Sequence, residues 1–337
     1  MVEKLLSHPL FHLTVATCAG LGVVICIFPD FISRFAWVVN YAVQLMLFYL
    51  AAGLVFLFLR QSRLTFVCFG CCAILIMWLK LSVKNDSIER WRETVIRREL
   101  QPNPTLEKKP LTLKIAHVNI TNIGSPEDAF AAICETNPDI LSIHEVTPDW
   151  SLWLNETFDS IYPYRHTLVN IGLFGMAVFS RFPIEQVDTF FYQEIPNLKG
   201  IIQVNGEPLA FFGVHTEPAL NDFYRKRLKE HLDSAAFEIS REKLPSVVFG
   251  EFNAVSWSNE IQLFRERTGL IESRSGFVTM SPGGASLTEI PLDHIFFSPH
   301  FQCIGFKALD SKTSPHLGIF GTYQLKPAGT NVEKMVQ

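Results

Sequence analysis

The residues of this chain that could do phosphate chemistry stand at or just beyond the ends of short apolar runs. The run at 247–250 leads into Glu251 and Asn253, and Glu145 follows a second run. The same placement is shared by Asn119, His215, Asp293 and His316. Carboxylates bind hard cations such as Mg²⁺, while amides and imidazoles hydrogen-bond to phosphate oxygens. The set therefore indicates a site assembled from strand ends.

Alternating strands and helices would position these side chains. Patterns of apolar residues predict helices over 126–136, with Ser125 as the N-cap, and over 221–241 and 256–268. Strands are predicted near 114–119, 139–146, 176–180, 201–204, 209–215, 246–250, 292–298, 303–308 and 319–325. This mixed α/β order predicts two packed sheets flanked by helices.

Glu251 and Asn253 are separated by one residue. On an extended chain both side chains would lie on one face, while Phe252 would point into the core. In that geometry Glu251 could position a water molecule and Asn253 a phosphate oxygen. The alternative is a polar turn between a strand and a helix.

The amino-terminal part has a different composition. Three apolar runs, at 9–28, 36–59 and 64–83, are each close to the ~20 residues that a helix needs to cross a bilayer. Residues 1–83 therefore predict a three-helix membrane anchor, and the lipid bilayer is the first expected partner. Residues 84–110 predict a juxtamembrane helix and a linker, residues 111–326 one α/β domain, and residues 327–337 a tail.

The domain after the linker is acidic. Beyond position 110 it has 17 Lys and Arg residues against 26 Asp and Glu residues, a formal net charge of −9. Non-specific nucleic-acid binding depends on cations that neutralise phosphates, so nucleic acid is a less favoured partner than a small or lipid-linked phosphorylated substrate. Cys134 and Cys303 are the only cysteines outside the apolar runs, and the sequence leaves open whether they pair.

The ordered segments KIAHVNI, PDILSIHEVTPDW, FGMAVFSRFPI, GVHTEPAL, VVFGEFNAVSWS, IPLDHIFFSP and SPHLG resemble the endonuclease/exonuclease/phosphatase superfamily over residues 111–325. With three spans ahead of the domain, the chain is similar to the membrane-bound bacterial branch, some of whose members are linked to glycopeptide resistance and polyprenyl pyrophosphate dephosphorylation. The resemblance implies a four-layer α/β sandwich and a phosphoesterase that uses Mg²⁺, or alternatively Mn²⁺.

The resemblance also implies roles for the strand-end residues. Glu145, Asn119 and Glu251 would hold the metal, and Asn119 and Asn253 would bind the phosphate. The catalytic residues would be Asp293 and His316 as an acid–imidazole pair, and His215 as a second histidine. Glu251 and Asn253, after the run at 247–250, would supply a carboxylate and an amide.

Three departures from the family pattern accompany these matches. Glu251 replaces the usual Asp, Pro315 replaces the Asp before the final His, and His144 replaces a frequent Gln. Two alternatives to the phosphoesterase therefore stay open. One is a metal-dependent nuclease of the same fold, and the other is a catalytically weakened pseudoenzyme that acts as a binding or immunity-type membrane protein.

Three spans would put the loop containing Arg34 on the same side of the membrane as the α/β domain. The positive-inside rule, applied to the cations near the span ends, favours a cytoplasmic domain. Similarity to the membrane-bound branch favours an extracytoplasmic domain on the inner membrane, which is the location expected here. The sequence does not determine the oligomeric state.

Overall fold

The structure is a computed structural model. It describes residues 8–83, 111–123, 125–274, 276, 279–281, 284–286, 290–311 and 317–325.

The amino-terminal part contains three helical segments that are long and apolar enough to cross a membrane, as the sequence predicts. The first is α1 (Pro9–Ile27) and the third is α3 (Ser62–Ser82). The second combines a 3-10 helix (Ser33–Tyr41) with α2 (Ala42–Phe58). The 3-10 helix begins three residues before the apolar run and joins α1 to α2.

The α/β domain contains two six-stranded mixed sheets. The first has the order β13-β14-β1-β2-β4-β3. Its strands are β1 (Thr112–Asn119), β2 (Ile140–His144), β3 (Tyr164–Leu168), β4 (Met176–Ser180), β13 (Phe301–Leu309) and β14 (Gly318–Leu325). The second has the order β5-β6-β7-β8-β12-β9. Its strands are β5 (Ile184–Tyr192), β6 (Ile195–Val204), β7 (Glu207–Gly213), β8 (Ser246–Glu251), β9 (Ile271–Glu272) and β12 (Asp293–Phe297). A separate hairpin pairs β10 (Thr279–Ser281) with β11 (Gly284–Ser286).

Helices cover the outer faces of both sheets. One apolar cluster joins the first sheet to α4 (Pro126–Thr136) and α5 (Pro148–Phe158). Another joins the second sheet to α6 (Asp222–Ser240) and α7 (Asn259–Thr268). Side chains of both sheets meet in a third cluster between them. The domain is therefore a four-layer α/β sandwich, as predicted.

The strand register brings those predicted site residues that the structure describes to one end of the two sheets. β1 and β2 run parallel, with Asn119 opposite His144. β7 and β8 also run parallel, so that His215 follows β7 at the end where β8 finishes. β12 runs antiparallel to β8, and its first residue, Asp293, lies opposite Glu251.

Some local elements differ from the sequence prediction. The helix α5 and the strands β3 and β5 are additional. β3 and β5 lie at sheet edges and are partly exposed, so their apolar alternation is weak. α7 begins at Asn259 and not at Ser256, because the hydroxyl of Ser258 caps the helix by accepting from the Ile261 amide at 3.4 Å. The predicted N-cap Ser125 is confirmed.

Candidate active site

The centre of the site is a hydrogen-bonded group formed by Asn119, Glu145 and Glu251. Nδ2 of Asn119 donates to Oε1 of Glu145 at 3.0 Å and to Oε2 of Glu251 at 2.6 Å. Its Oδ1 accepts from the amide and the hydroxyl of Thr121, at 3.1 and 2.6 Å. The Thr121 hydroxyl also contacts the Glu145 carboxylate. With its polar atoms engaged in this way, Asn119 holds the two carboxylates in place.

The donor set of this group fits a divalent cation. Ligand atoms of Glu145, His215 and Glu251 all lie within 4.8 Å of one another, and Oε2 of Glu251 is 3.6 Å from Nε2 of His215. Two carboxylates this close repel each other unless a cation or a proton compensates their charge. Carboxylate oxygens suit Mg²⁺, and the addition of an imidazole also suits Mn²⁺ or another transition metal.

Glu145 reaches the site because the chain turns sharply after β2. Its φ of 63° lies in the left-handed region, which non-glycine residues adopt only where the surroundings compensate the strain. The amide of the next residue, Val146, donates to Gly175 O at 3.1 Å and fixes the turn. A Cβ at Gly175 would collide with the Val146 carbonyl oxygen, so glycine is required at that position.

Gly250 has a similar function for Glu251. Its φ of 149° and its close approach to the Val214 carbonyl leave no space for a Cβ. The backbone of β8 can therefore lie against the segment after β7. As a result, Thr216 N donates to Glu251 O at 3.1 Å, and His215 lies beside the Glu251 carboxylate.

The structure corrects the predicted geometry around Asn253. β8 ends at Glu251, and Asn253 has a φ of 50°, so the chain is not extended through both residues. Asparagine tolerates this left-handed conformation better than most residues do. Phe252 is buried in the core, as predicted. The Asn253 amide donates to Thr216 O at 2.7 Å, which ties it to the segment that contains His215.

Three buried histidines form a row behind the carboxylates. The rings of His117 and His144 meet edge to face at 4.5 Å, and His144 stacks on His215 at 5.1 Å. Burial, with a smaller contribution from His117, lowers the pKa of His215 to about 4, although Asp293 opposes the shift. Burial and the two neighbouring rings likewise hold the pKa of His144 well below its ordinary value. His215 is therefore neutral at pH 7 and meets Glu251 as a neutral imidazole.

Asp293 lies next to this row. Its Oδ1 is 3.8 Å from Nε2 of His117, whose Nδ1 is 3.1 Å from the Ser142 hydroxyl. His117 is not among the predicted site residues, because a single histidine inside a buried strand gives no signal of a site. The predicted partner of Asp293, His316, lies outside the described residues, as does Pro315.

A buried ionic network holds the loop that follows Asn253. The Glu272 carboxylate accepts from the Ser256 hydroxyl at 2.5 Å and contacts Nδ1 of His294 at 2.9 Å. The other ring nitrogen of His294 lies 2.8 Å from Ala254 O. Burial by itself would raise the pKa of Glu272, but the hydrogen bond and charge of His294 and two arginines outweigh it and lower the pKa. The sequence interpretation did not identify this network.

Two arginines of the α/β domain have structural partners. Arg225 pairs with Asp30 at 2.9 Å and with Glu260 at 3.3 Å. Arg181 contacts Asp139 at 3.8 Å. Cys134 and Cys303 are not joined by a disulfide bond.

A match between the sequence and a protein-family model identifies the family. The model of the Endonuclease/Exonuclease/phosphatase family matches residues 121–316. The comparison with curated proteins found no match.

Three solved structures share the architecture. An endonuclease/exonuclease/phosphatase from Beutenbergia cavernae DSM 12333 is 18% identical, with a TM-score of 0.53 over 65% of this chain and 73% of that chain. A family protein from Bacteroides thetaiotaomicron is also 18% identical, with a TM-score of 0.51 over 65% and 97%. D. rerio TDP2 complexed with a single-strand DNA product is 15% identical, with a TM-score of 0.50 over 63% and 98%.

At these identities the solved structures show a common fold, whereas the family model spans more than half of the sequence. This protein therefore belongs to the endonuclease/exonuclease/phosphatase family.

Proposed function

We propose that this protein is a membrane-anchored phosphoesterase that hydrolyses a phosphate or pyrophosphate ester, with Mg²⁺ as its cation and Mn²⁺ as a substitute. The observation that carries the proposal is the convergence of Glu145, Glu251 and His215 within 4.8 Å at the strand ends. Members of the family typically hydrolyse phosphoesters, and the three apolar helices supply the anchor.

Glu145 and Glu251 would hold the cation, with His215 as the third candidate ligand. A divalent cation, when bound, stabilises the negative charge that develops on the phosphate oxygens and makes a water molecule a better nucleophile. Asn119 keeps the two carboxylates at a fixed separation, which limits the reorganisation needed during the reaction.

The remaining site residues would bind and orient the substrate. Asn253, two residues after Glu251 and fixed by its hydrogen bond to Thr216 O, would orient a phosphate oxygen. The Glu251 carboxylate would also position the attacking water and accept its proton. Asp293 would orient His117 and, in the role that the family resemblance implies, His316.

A lipid-linked substrate is the preferred class. The net charge of −9 after position 110 disfavours an extended polyanion, which weighs against the nuclease. The domain would face the extracytoplasmic side of the inner membrane. A reporter enzyme that is active only after export should therefore be active when it is fused after Gln337. Activity of a cytoplasm-specific reporter at that position would reverse this assignment.

The proposed activity is tested with the full chain in detergent. Phosphate release from soluble and lipid-linked phosphoesters, including polyprenyl pyrophosphate, is measured with Mg²⁺, with Mn²⁺ and with EDTA. Glu145→Gln should abolish metal-dependent release, whereas Glu156→Gln, at an exposed position on α5, should not. Full activity of Glu145→Gln would refute the site, and an absence of metal binding by calorimetry would favour the pseudoenzyme.

A further inference from the structure

The segment between α1 and α2 contacts α6 and the loop that follows Asn253. The buried indole of Trp257 donates to Val39 O at 2.7 Å, and Val255 and Trp257 belong to the same apolar cluster as the three apolar helices. The Ser33 hydroxyl donates to Asp222 at 3.0 Å, and Arg225 pairs with Asp30. Contacts of both apolar and polar kinds thus attach the α/β domain to this segment.

A cavity of about 240 Å³ lies between the two parts of the chain. Its wall on the side of the apolar helices includes Arg34, Trp37 and Asn40. Its wall on the domain side includes Asn221 and Asn253. Asn253, two residues after Glu251, is a predicted site residue that also lines this cavity. We therefore expect a molecule held by the carboxylates to reach this space past Asn253.

The charges around the cavity leave one cation available. Asp222 and Glu260 also line it, but Asp222 accepts from Ser33 and Glu260 pairs with Arg225. The exposed Arg34 forms neither a hydrogen bond nor an ion pair with the described part of the chain. A guanidinium in such a position suits anionic oxygens of a ligand.

The mouth of the cavity is apolar. Trp37 is 55% exposed and Leu220 is 78% exposed, and both line the cavity. Phe31 and Phe35, on the same segment as Trp37, are exposed as well. Aromatic side chains that flank apolar helices are typical of the membrane–water interface. The mouth therefore lies at the level of the lipid headgroups if the helices span a bilayer.

We propose that this cavity is a substrate subsite for the headgroup of an amphiphilic phosphoester, and that Arg34 of the anchor is a specificity-determining residue. The anionic headgroup contacts Arg34 and Asn253, and the hydrocarbon tail leaves past Trp37 and Leu220 into the bilayer. The catalytic site is then incomplete without the anchor. This proposal rests on the hydrolase activity proposed above.

The test uses the full chain in mixed micelles and compares two substrates with the same phosphomonoester, phosphatidic acid and glycerol 3-phosphate. We expect wild-type kcat/KM to be at least about tenfold higher for phosphatidic acid. In Arg34→Ala, KM for phosphatidic acid should rise about tenfold, the scale of one lost charged hydrogen bond, with little change in kcat. Arg34→Lys should recover part of this loss.

The control is Arg63→Ala, which removes an exposed arginine from the first turn of α3, away from the cavity lining. It should leave KM for phosphatidic acid unchanged. Equal kcat/KM for the two substrates in wild type, or the same KM in Arg34→Ala as in wild type, would overturn the subsite.

A binding measurement distinguishes a failure of the proposed hydrolase activity from a failure of the proposed subsite. If the wild type hydrolyses neither substrate, binding of phosphatidic acid in nanodiscs is measured by calorimetry for wild type and Arg34→Ala. Weaker binding by the variant would support the subsite in a protein that does not hydrolyse these esters. Equal binding would overturn it.

Discussion

Nδ2 of Asn119 donates a hydrogen bond to Oε2 of Glu251 at 2.6 Å, between two residues 132 positions apart in the chain. The contact shows that the longer Glu side chain, present where the family usually has Asp, reaches the amide of Asn119. Glu251 and Glu145 both bond to this one amide. The geometry of this site is therefore adjusted to a glutamate.

Glu251→Asp is expected to weaken the site and not to repair it. The shorter side chain withdraws the carboxylate by about one bond length, and a displacement of ~1 Å can lower a rate about 100-fold. Calorimetry with Mn²⁺ should show weaker binding, and phosphate release should slow. Glu251→Gln keeps the length but loses the charge, so it should also bind Mn²⁺ weakly. Tighter Mn²⁺ binding and faster hydrolysis by Glu251→Asp would contradict this account.

His231 should make the protein less stable in acid. Burial, followed by the charges of His215 and Arg227, lowers its folded-state pKa to about 3, while its unfolded pKa is about 6.5. Between these values the unfolded chain binds the extra proton, so the free energy of unfolding falls as the pH drops from about 6.5 towards 3. The limiting slope for one proton is about 1.4 kcal/mol per pH unit.

The variant His231→Gln isolates this contribution, because glutamine can still hydrogen-bond to Asn197, which contacts the imidazole at 3.0 Å. Thermal unfolding with EDTA is recorded from pH 7 to pH 4 for both proteins. Wild type should lose stability more steeply than the variant over this range. Parallel curves would show that His231 does not bind the proton on unfolding.

Glu272→Gln should damage both stability and the position of Asn253. Glu272 is 2% exposed, and it contacts Ser256 and His294, with Arg265 and Arg274 at 4.0 Å. Breaking a buried ion pair by removal of one charge typically costs about 3–5 kcal/mol. Thermal unfolding should therefore show a large decrease in Tm, and phosphate release should also fall.

The surface variant Glu156→Gln provides the control for Glu272→Gln, and its Tm should stay close to that of wild type. Because the folded-state pKa of Glu272 is lowered, its stabilisation is present above the ordinary pKa of 4.5 and is lost as the pH falls through the folded value. The difference in Tm between wild type and Glu272→Gln should accordingly shrink in acid. A difference independent of pH would argue against the ionic role.

The sequence predicted that the candidate site lies at the strand ends, because polar residues that directly follow apolar runs are conspicuous. Asn119, Glu145 and Glu251 meet because β1 and β2 are parallel and the end of β8 lies at the same edge. Contacts of residues with no such pattern were not predictable. His117 lies inside a buried strand, where its role depends on Asp293 from the other sheet.

The sequence pattern also did not predict the backbone conformation of individual residues. Asn253 was expected to continue an extended strand, but Thr216 O and the turn after Glu251 place it in the left-handed region. The hydrogen bond from Trp257 to Val39 O joins residues 218 positions apart. Apolar periodicity describes each helix and strand alone, so it carries no information on this kind of contact.

Trp257→Phe should loosen the attachment between the α/β domain and the segment after α1. The phenyl ring keeps most of the apolar contact, but Val39 O loses the indole donor and keeps only the Ala42 amide. The expected cost is the net value of one hydrogen bond, about 0.5–1.5 kcal/mol. Trp153→Phe is the matched control, because the Trp153 indole N–H makes no hydrogen bond within the described residues and its ring packs against Trp150.

Hydrogen exchange in detergent distinguishes this loss of attachment from general destabilisation. Amides of the 3-10 helix Ser33–Tyr41 should exchange faster in Trp257→Phe than in wild type, while those of α5 should be unaffected. In Trp153→Phe the amides of α5 should exchange faster than in wild type, since Trp153 lies in α5, while those of Ser33–Tyr41 should be unaffected. If both variants exchange alike over residues 33–41, the hydrogen bond to Val39 O does not hold the two parts together. The Arg34 cavity would then depend on the apolar contacts, the Ser33–Asp222 hydrogen bond and the Arg225–Asp30 pair.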